Sequence, residues 1–335
     1  MHTEQPKEEK LIQEVFSIRN DKDFVEVALA VFQFQYKHNE LYRQFSELVG
    51  CRPEKVSSIE QIPFLPISFF KTHKVQTSYF IPDTVFESSG TTSDTSSKHY
   101  VRDVHIYENS FSTTFETFYG PPDQFCILAL LPSYLERQQS SLVYMVQRLM
   151  SKSAHPCNNF FLYNHQELAD ILFELERQNQ KSLLLGVSYA LLDFAHTFPM
   201  KLSNTIVMET GGMKGRKKEL IRTELHQQLM DAFEVDSIHS EYGMTELLSQ
   251  AYSKKDGIFS TPSWMKVLIR DENDPLRMLV EAFASGGINV IDLANIYSCS
   301  FISTDDIGRW HYNGNFEVLG RMDNSDVRGC SLLVS

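Results

Sequence analysis

The chain has 335 residues, 42% of them hydrophobic and 22% charged with both signs interspersed, which excludes disordered and fibrous classes and allows a substantial core. A formal charge of -12 argues against nucleic acid as a partner, because phosphate backbones attract faces rich in lysine and arginine. No apolar run reaches the length of a membrane span, and the polar, charged start lacks the apolar segment of a secretory leader, so a cytoplasmic protein is expected.

Apolar spacing predicts a helix over residues 7–18 and a longer one over 21–48, where Phe24, Val25, Ala28, Val31 and Phe32 recur at helical intervals. Pro63 and Pro66 then break the helix and predict an extended lead-in over 62–67. The middle of the chain alternates, with strands expected at 125–131, 160–163, 182–187 and 205–208 and helices at 140–150, 166–177, 189–196 and 217–233. Repetition of strand, helix and strand predicts an α/β body built on a parallel sheet covered on both faces. A further strand is expected at 235–239. From residue 260 the pattern changes to short strands at 265–270, 277–282 and 299–303, followed by a hairpin over 308–319 that turns at Asn313-Gly314. This part reads as an antiparallel β subdomain appended to the α/β body. No repeat or long linker divides the chain, so one unit is expected over residues 1–322, with a helical lead-in at 1–60 and a short tail at 323–335. The five cysteines include no C-x-x-C pair and are odd in number, which predicts reduced thiols and no zinc cage.

Four segments could carry chemistry. Residues 86–98 follow a probable strand and gather hydroxyls (Ser88, Ser89, Thr91, Thr92) around Gly90, with Lys98 beyond; such a loop offers amides, hydroxyls and a cation to a polyphosphate. It has only one glycine and is not the G-x-x-x-x-G-K-S/T loop, and by itself it reads first as a Ser/Thr-rich surface turn. Glu241-Tyr242-Gly243-Met244-Thr245-Glu246 sets an aromatic ring beside a glycine and a carboxylate three residues further on, suited to a flat base and to Mg2+, although by itself it reads also as a strand-to-helix turn with a capping threonine. Upstream, Gly211 and Gly212 end another strand and would let backbone approach a ligand. Near the end, Thr304-Asp305-Asp306 and Gly320-Arg321-Met322-Asp323 supply carboxylates for ribose hydroxyls and an arginine for phosphate, or else a pair of polar turns. His239 could orient a substrate carboxylate or serve as a packed structural residue, and Lys214, Arg216, Lys217 and Lys218 form a basic cluster that reads as a solvated face or as a surface for a phosphorylated partner.

Taken in this order, the four segments resemble the adenylate-forming superfamily over residues 64–333: its hydroxyl-rich phosphate loop, its Y-G-x-T-E motif, its T-G-D motif and its G-R-x-D hinge. The resemblance implies an adenylate-forming large domain and ATP-dependent activation of a carboxylic acid. It implies that Ser89, Gly90, Thr91, Thr92 and Lys98 meet phosphates, that Tyr242 meets adenine between Gly211, Gly212, Gly243 and Thr245, and that Glu246 holds Mg2+. It also implies that Arg321 lies near ribose or phosphate. Asp305 stands where the motif has glycine, so either Asp305 or Asp306 is the implied ribose ligand.

Relatives carry roughly another hundred residues after the hinge, the size of a small domain, so this sequence reads as lacking the usual C-terminal domain. Together with the lead-in Pro63-Phe64-Leu65-Pro66 and the stretch Asp326 to Leu333, this resembles most the LuxE-type acyl-protein synthetases. In that group a cysteine near the C-terminus takes the acyl group, and Cys330 is the matching residue; a thiolate suits attack on an activated carbonyl, though Cys330 reads equally as a small buried hydrophobe. The implied substrate is a fatty acid and the implied partner an acyl-accepting protein such as a reductase or carrier protein. Activation of an aromatic or short-chain acid for CoA or a carrier, and a non-catalytic nucleotide-binding scaffold, are the alternatives.

Overall fold

In the strand Cys126–Leu130 every residue is buried, and the side chains divide by parity. Cys126, Leu128 and Leu130 enter one apolar cluster, whereas Ile127 and Ala129 enter another. Successive strand residues face opposite sides, so this strand is covered on both faces. The computed structural model describes residues 5–88, 96–131, 139–211 and 220–322. Among them, Cys126–Leu130 is a central strand of a six-stranded sheet ordered Asn159–Phe160, Cys126–Leu130, Ser182–Val187, Thr205–Thr210, His239–Tyr242, Ala251–Ser253. The first five run parallel, and Ala251–Ser253 returns antiparallel. Helices His165–Arg177, Ser188–Thr197 and Arg222–Phe233 cover one face, while Val104–Tyr119 and Ser141–Ser153 bury Phe111, Phe115, Met145 and Leu149 against the other.

The remaining strands form a seven-stranded sheet. Its path runs Ile258–Phe259, Phe316–Arg321, Phe301–Trp310, Ser285–Asp292, Met265–Arg270, Met278–Leu279, and the short Leu65–Pro66 pairs in parallel with Phe301–Trp310. The expected lead-in over 62–67 is this edge pairing. The hairpin is also as expected: Phe301–Trp310 and Phe316–Arg321 pair antiparallel, and Asn313 (φ 69°) with Gly314 (φ 78°) adopt the left-handed conformations such a turn needs. A small separate hairpin joins Thr84–Glu87 to Lys98–Val101.

Other expectations are corrected. The helix anticipated over 21–48 is two helices, Asp21–His38 and Glu40–Leu48, because Asn39 is extended and its side chain accepts from the Tyr42 amide as an N-cap. The same side chain donates to the Ser298 carbonyl at 3.0 Å, so a tertiary contact fixes the break. The strand anticipated at 235–239 is His239–Tyr242, which carries Glu241 and Tyr242 within it. The expected strand at 277–282 contracts to Met278–Leu279, and Ser285–Asp292, which pairs on both sides, was not anticipated. Its Gly286 and Gly287 answer to close approach by Arg270. A Cβ at Gly286 would collide with the Arg270 carbonyl, and one at Gly287 with the Arg270 guanidinium. The helix Val104–Tyr119 was likewise not anticipated.

Candidate functional site

Thr210 and Glu241 are register partners at the C-terminal ends of adjacent parallel strands, which places Gly211 and Tyr242 side by side at the sheet's edge. Ligands of open parallel sheets gather at this edge. The Ser188 hydroxyl donates to the Gly211 carbonyl at 2.7 Å and to Glu209 at 3.2 Å, which fixes the end of the first strand.

Tyr242 is buried, and its hydroxyl donates to Asp306 Oδ2 at 2.8 Å. Its ring meets Phe259 and Phe316 edge-on at 5.9 and 5.5 Å. Burial, reinforced by the Asp306 charge, holds the phenol well above its ordinary range, so it remains a donor. Asp306 Oδ1 receives Arg321 Nε at 3.3 Å, and the two residues are cross-strand partners. The structure therefore brings Tyr242, Asp306 and Arg321 together. Asp305 lies on the other face of its strand, and its carbonyl receives the Met322 amide at 2.7 Å.

Behind this group Arg270 is buried, donating to the Ile288 carbonyl at 2.7 Å, Asn289 Oδ1 at 2.9 Å and the Thr304 carbonyl at 2.6 Å. Burial draws it below its usual value while the charges of Asp305 and Asp306 oppose the shift. No sequence signal marked Arg270, which ends an ordinary apolar strand.

The second half of the site is the turn after Tyr242. Thr245 offers its carbonyl to His99 Nδ1 at 2.8 Å, and the Glu246 carbonyl accepts from Asn295 Nδ2 at 2.7 Å. The Glu246 side chain is buried. A Cβ at Gly243 would meet the Glu241 carboxyl, which would have to shift to admit it. Lys98 begins the strand whose next residue is His99, so the stem of the hydroxyl-rich loop abuts the 242–246 turn. Lys98 Nζ lies 3.2 Å from its cross-strand partner Glu87, and Ser88 and Ser97 close the stem through Ser97 N to Ser88 Oγ (2.9 Å) and Ser88 N to the Ser97 carbonyl (3.1 Å).

Buried carboxylates flank the edge. Glu241 accepts from the Thr210 hydroxyl; desolvation pushes it up to about 7, the Thr210 bond opposing and the Glu209 charge adding. Glu209 has Arg222 Nε and His226 Nε2 each 3.6 Å away. His239 meets the Tyr119 hydroxyl at 3.2 Å and is pulled down to about 4 by burial and then by Lys254, which makes it a neutral, packed residue at neutral pH.

Ser89, Gly90, Thr91, Thr92, Gly212, Asp323, Cys330 and the basic cluster Lys214, Arg216, Lys217 and Lys218 lie outside the described residues. Of the other cysteines, Cys126 and Cys299 are buried, and burial pushes both thiols up to about 12. Among the described residues no group of three or more His, Cys, Asp or Glu could hold a metal ion, and no helix is long and apolar enough to cross a membrane.

The fold is shared with solved adenylate-forming ligases. A 2-hydroxyisobutyryl-CoA ligase in complex with 2-HIB-AMP and CoA aligns with TM-score 0.62 and 13% identity, over 93% of this chain and 78% of that one. ATP-bound MatB from Rhodopseudomonas palustris aligns with TM-score 0.53 and 17% identity, over 73% of this chain and 49% of that one. The chain thus spans about half the length of the MatB chain it matches. The architecture is that of an adenylate-forming large domain: parallel sheet layers with an appended antiparallel subdomain. Within that class the sequence matches the model for Acyl-protein synthetase, LuxE over residues 15–335, and the chain belongs to this family. A search of curated protein sequences gives no match.

Proposed function

We propose that this protein activates a carboxylic acid with ATP, forming an acyl-adenylate, and passes the acyl group to a thiol. The single observation that carries the reading is the line of contacts from Lys98–His99 through Thr245–Glu246 to Tyr242, Asp306 and Arg321, which joins the small hairpin, the end of the parallel sheet and the seven-stranded sheet. That line has the composition a nucleoside triphosphate needs: a ring for the base, a carboxylate for ribose hydroxyls, cations and hydroxyls for phosphates.

A substrate carboxylate oxygen attacks the α-phosphorus of ATP; the new P–O bond forms as the bond to pyrophosphate breaks, with both products leaving as anions. Substrate and ATP repel each other, so fixed positive charge must be brought to the phosphates. Lys98 is half exposed, and its pair with Glu87 is of the weak surface kind, so exchanging that partner for a phosphate costs little. Ser89, Gly90, Thr91 and Thr92 add amide and hydroxyl donors, and Gly211, Gly212, Gly243 and Thr245 let the nucleotide lie close to backbone. Asp306, oriented by Tyr242 and Arg321, takes the ribose hydroxyls. Glu246 offers one carboxylate, and Mg2+ takes one or two carboxylates with phosphate and water oxygens, so the donor set fits that ion. Bound there, Mg2+ would neutralise charge developing on the leaving group.

The acid is a fatty acid and Cys330 is the first acceptor, acting in the cytoplasm ahead of a protein such as a reductase or carrier. Thiolate attack on the acyl carbon expels AMP and leaves a thioester. The family resemblance supports this step, and Cys126 and Cys299 ionise too poorly to compete. The test is exchange of labelled pyrophosphate into ATP with acids of graded length. Exchange should depend on added acid and peak at long chains. No exchange with any acid would remove adenylation, and hydroxylamine-labile acylation unchanged in Cys330→Ala would remove the cysteine step alone.

A further inference from the structure

His99 follows Lys98 on the strand Lys98–Val101, so its side chain points to the face opposite the lysine and is fully buried, with Phe70 edge-on at 5.9 Å. Both ring nitrogens meet oxygen atoms: Nδ1 lies 2.8 Å from the Thr245 carbonyl, and Nε2 lies 3.0 Å from Asn295 Oδ1. Asn295 is itself fixed, because its Nδ2 donates to the Glu246 carbonyl at 2.7 Å and its oxygen must then face the ring. The result is a chain of three side-chain contacts, from the strand that carries Lys98 to two consecutive peptide units of the turn that carries Glu246. His99, Asn295 and Glu246 are buried and Thr245 is half-buried, so water is a poor substitute for these contacts. Burial also draws His99 down to about 4, so at neutral pH the ring is neutral and has a single N–H; of the two oxygens it faces, the Thr245 carbonyl at 2.8 Å is the nearer acceptor, and Asn295 Oδ1 packs against the other nitrogen.

We propose that His99 is a positioning residue: its ring bonds the Thr245 carbonyl to the Lys98 strand while Asn295, packed against it, holds the Glu246 carbonyl, so that the two arms expected to grip the triphosphate are held at one spacing. This rests on the nucleotide reading above, for which Lys98 and Glu246 are the phosphate and metal arms. The ring meets the turn at the Thr245 carbonyl, so its effect on turnover runs through backbone placement. A residue that merely filled space would serve as well when replaced by an apolar side chain of similar size. A hydrogen-bonding tie would not.

The experiment compares His99→Leu, His99→Gln and Asn295→Ala with the parent chain. Acid-dependent pyrophosphate exchange gives KM for MgATP and for the acid, and hydrogen exchange read by mass spectrometry reports the amides of 96–101 and 243–248. Loss of a buried hydrogen bond predicts a rise in the MgATP KM of roughly tenfold in His99→Leu, with the acid KM changed less than about twofold. His99→Gln, which keeps a donor, should recover most of the loss. In His99→Leu both peptide groups should exchange faster together. Equal rises in the two KM values, no rescue by glutamine, or faster exchange in only one segment would each overturn the proposal. Should His99→Leu fail to fold, Asn295→Ala keeps the ring and removes the bond to the Glu246 carbonyl, and the same outcomes apply. If the parent chain shows no pyrophosphate exchange, the adenylation reading falls, while the hydrogen-exchange comparison still decides whether His99 couples the two segments.

Discussion

Glu241 holds its carboxyl out of water between the Thr210 hydroxyl and the backbone of Gly243, and this burial has a consequence for stability. Its folded value, about 7, stands above the ordinary 4.5 of an unfolded chain. Between these two values the folded protein keeps a proton that the unfolded chain has released. Stability contributed by this group is therefore fully present below pH 4.5, and it falls as pH rises through 7. Glu241→Gln removes the titration, so the variant should gain on the parent with rising pH, by on the order of 3 kcal/mol between pH 4.5 and 8. Asp292, pushed up to about 6 by burial against four opposing hydrogen bonds, titrates in the same direction in both proteins, which is why the difference rather than either curve is informative. Urea midpoints at pH 5 and pH 8 measure it, and a gap between the two proteins that does not move with pH would refute the assignment. Asp306 makes a separate prediction. Its carboxylate is held by Tyr242 and Arg321 from opposite oxygens, so Asp306→Asn should weaken ATP binding by roughly tenfold or more through loss of charge-assisted hydrogen bonds. Calorimetric titration with ATP checks this, and an unchanged Kd would take Asp306 out of the nucleotide site.

At the scale of elements, the break between the helices Asp21–His38 and Glu40–Leu48 shows how one side chain can end one helix and begin another. Asn39 caps the second helix at Tyr42 N and reaches Ser298 and Thr77 within the core. Asn39→Ala should cost about 2 kcal/mol or more, the sum of a lost N-cap and an orphaned buried carbonyl. Expected in urea is a lower midpoint at unchanged slope, and a midpoint equal to the parent's would show that helix geometry alone sets the break. The same residue explains what sequence reading resolves and what it does not. Asn313-Gly314 marks its hairpin because the turn's demand for left-handed backbone is local. Met265–Arg270 was legible with its full bounds because apolar spacing within the strand reports its burial. The strand Ser285–Asp292 was not, since its two glycines are there to admit Arg270 from another strand. The site divides in the same way. Tyr242, Glu246, Asp306 and Arg321 stand in short local patterns, whereas His99, Asn295 and Arg270, which hold those patterns in place, act across sequence separations that carry no periodic signal.

At the scale of the molecule, the helical lead-in is built into the core that carries the site. Gln35 donates to the Asn295 and Ile296 carbonyls and to Ser300, and it accepts from the Ser300 amide, all across some 260 residues of chain. Phe16 meets Trp264 at 5.0 Å, and Trp264 Nε1 in turn donates to Ser110 and Ser249, which joins the first helix, the antiparallel sheet and the layer over the parallel sheet. Asn295 is thus shared: its backbone anchors the lead-in and its side chain anchors the Glu246 turn. Such sharing predicts that helix and site unfold together rather than in stages, because opening the lead-in would strand buried carbonyls beneath the turn. Helical circular dichroism and tryptophan fluorescence should therefore follow one urea transition with coincident midpoints. Gln35→Ala should move both midpoints down equally, by about 1–3 kcal/mol for the orphaned groups. It should also weaken ATP binding, because the displaced Asn295 backbone carries the side chain that holds the Glu246 carbonyl. Two separated transitions in the parent, or a Gln35→Ala chain that melts earlier yet binds ATP with unchanged affinity, would show that the lead-in is an independent cap and that its coupling to the site ends at Asn295.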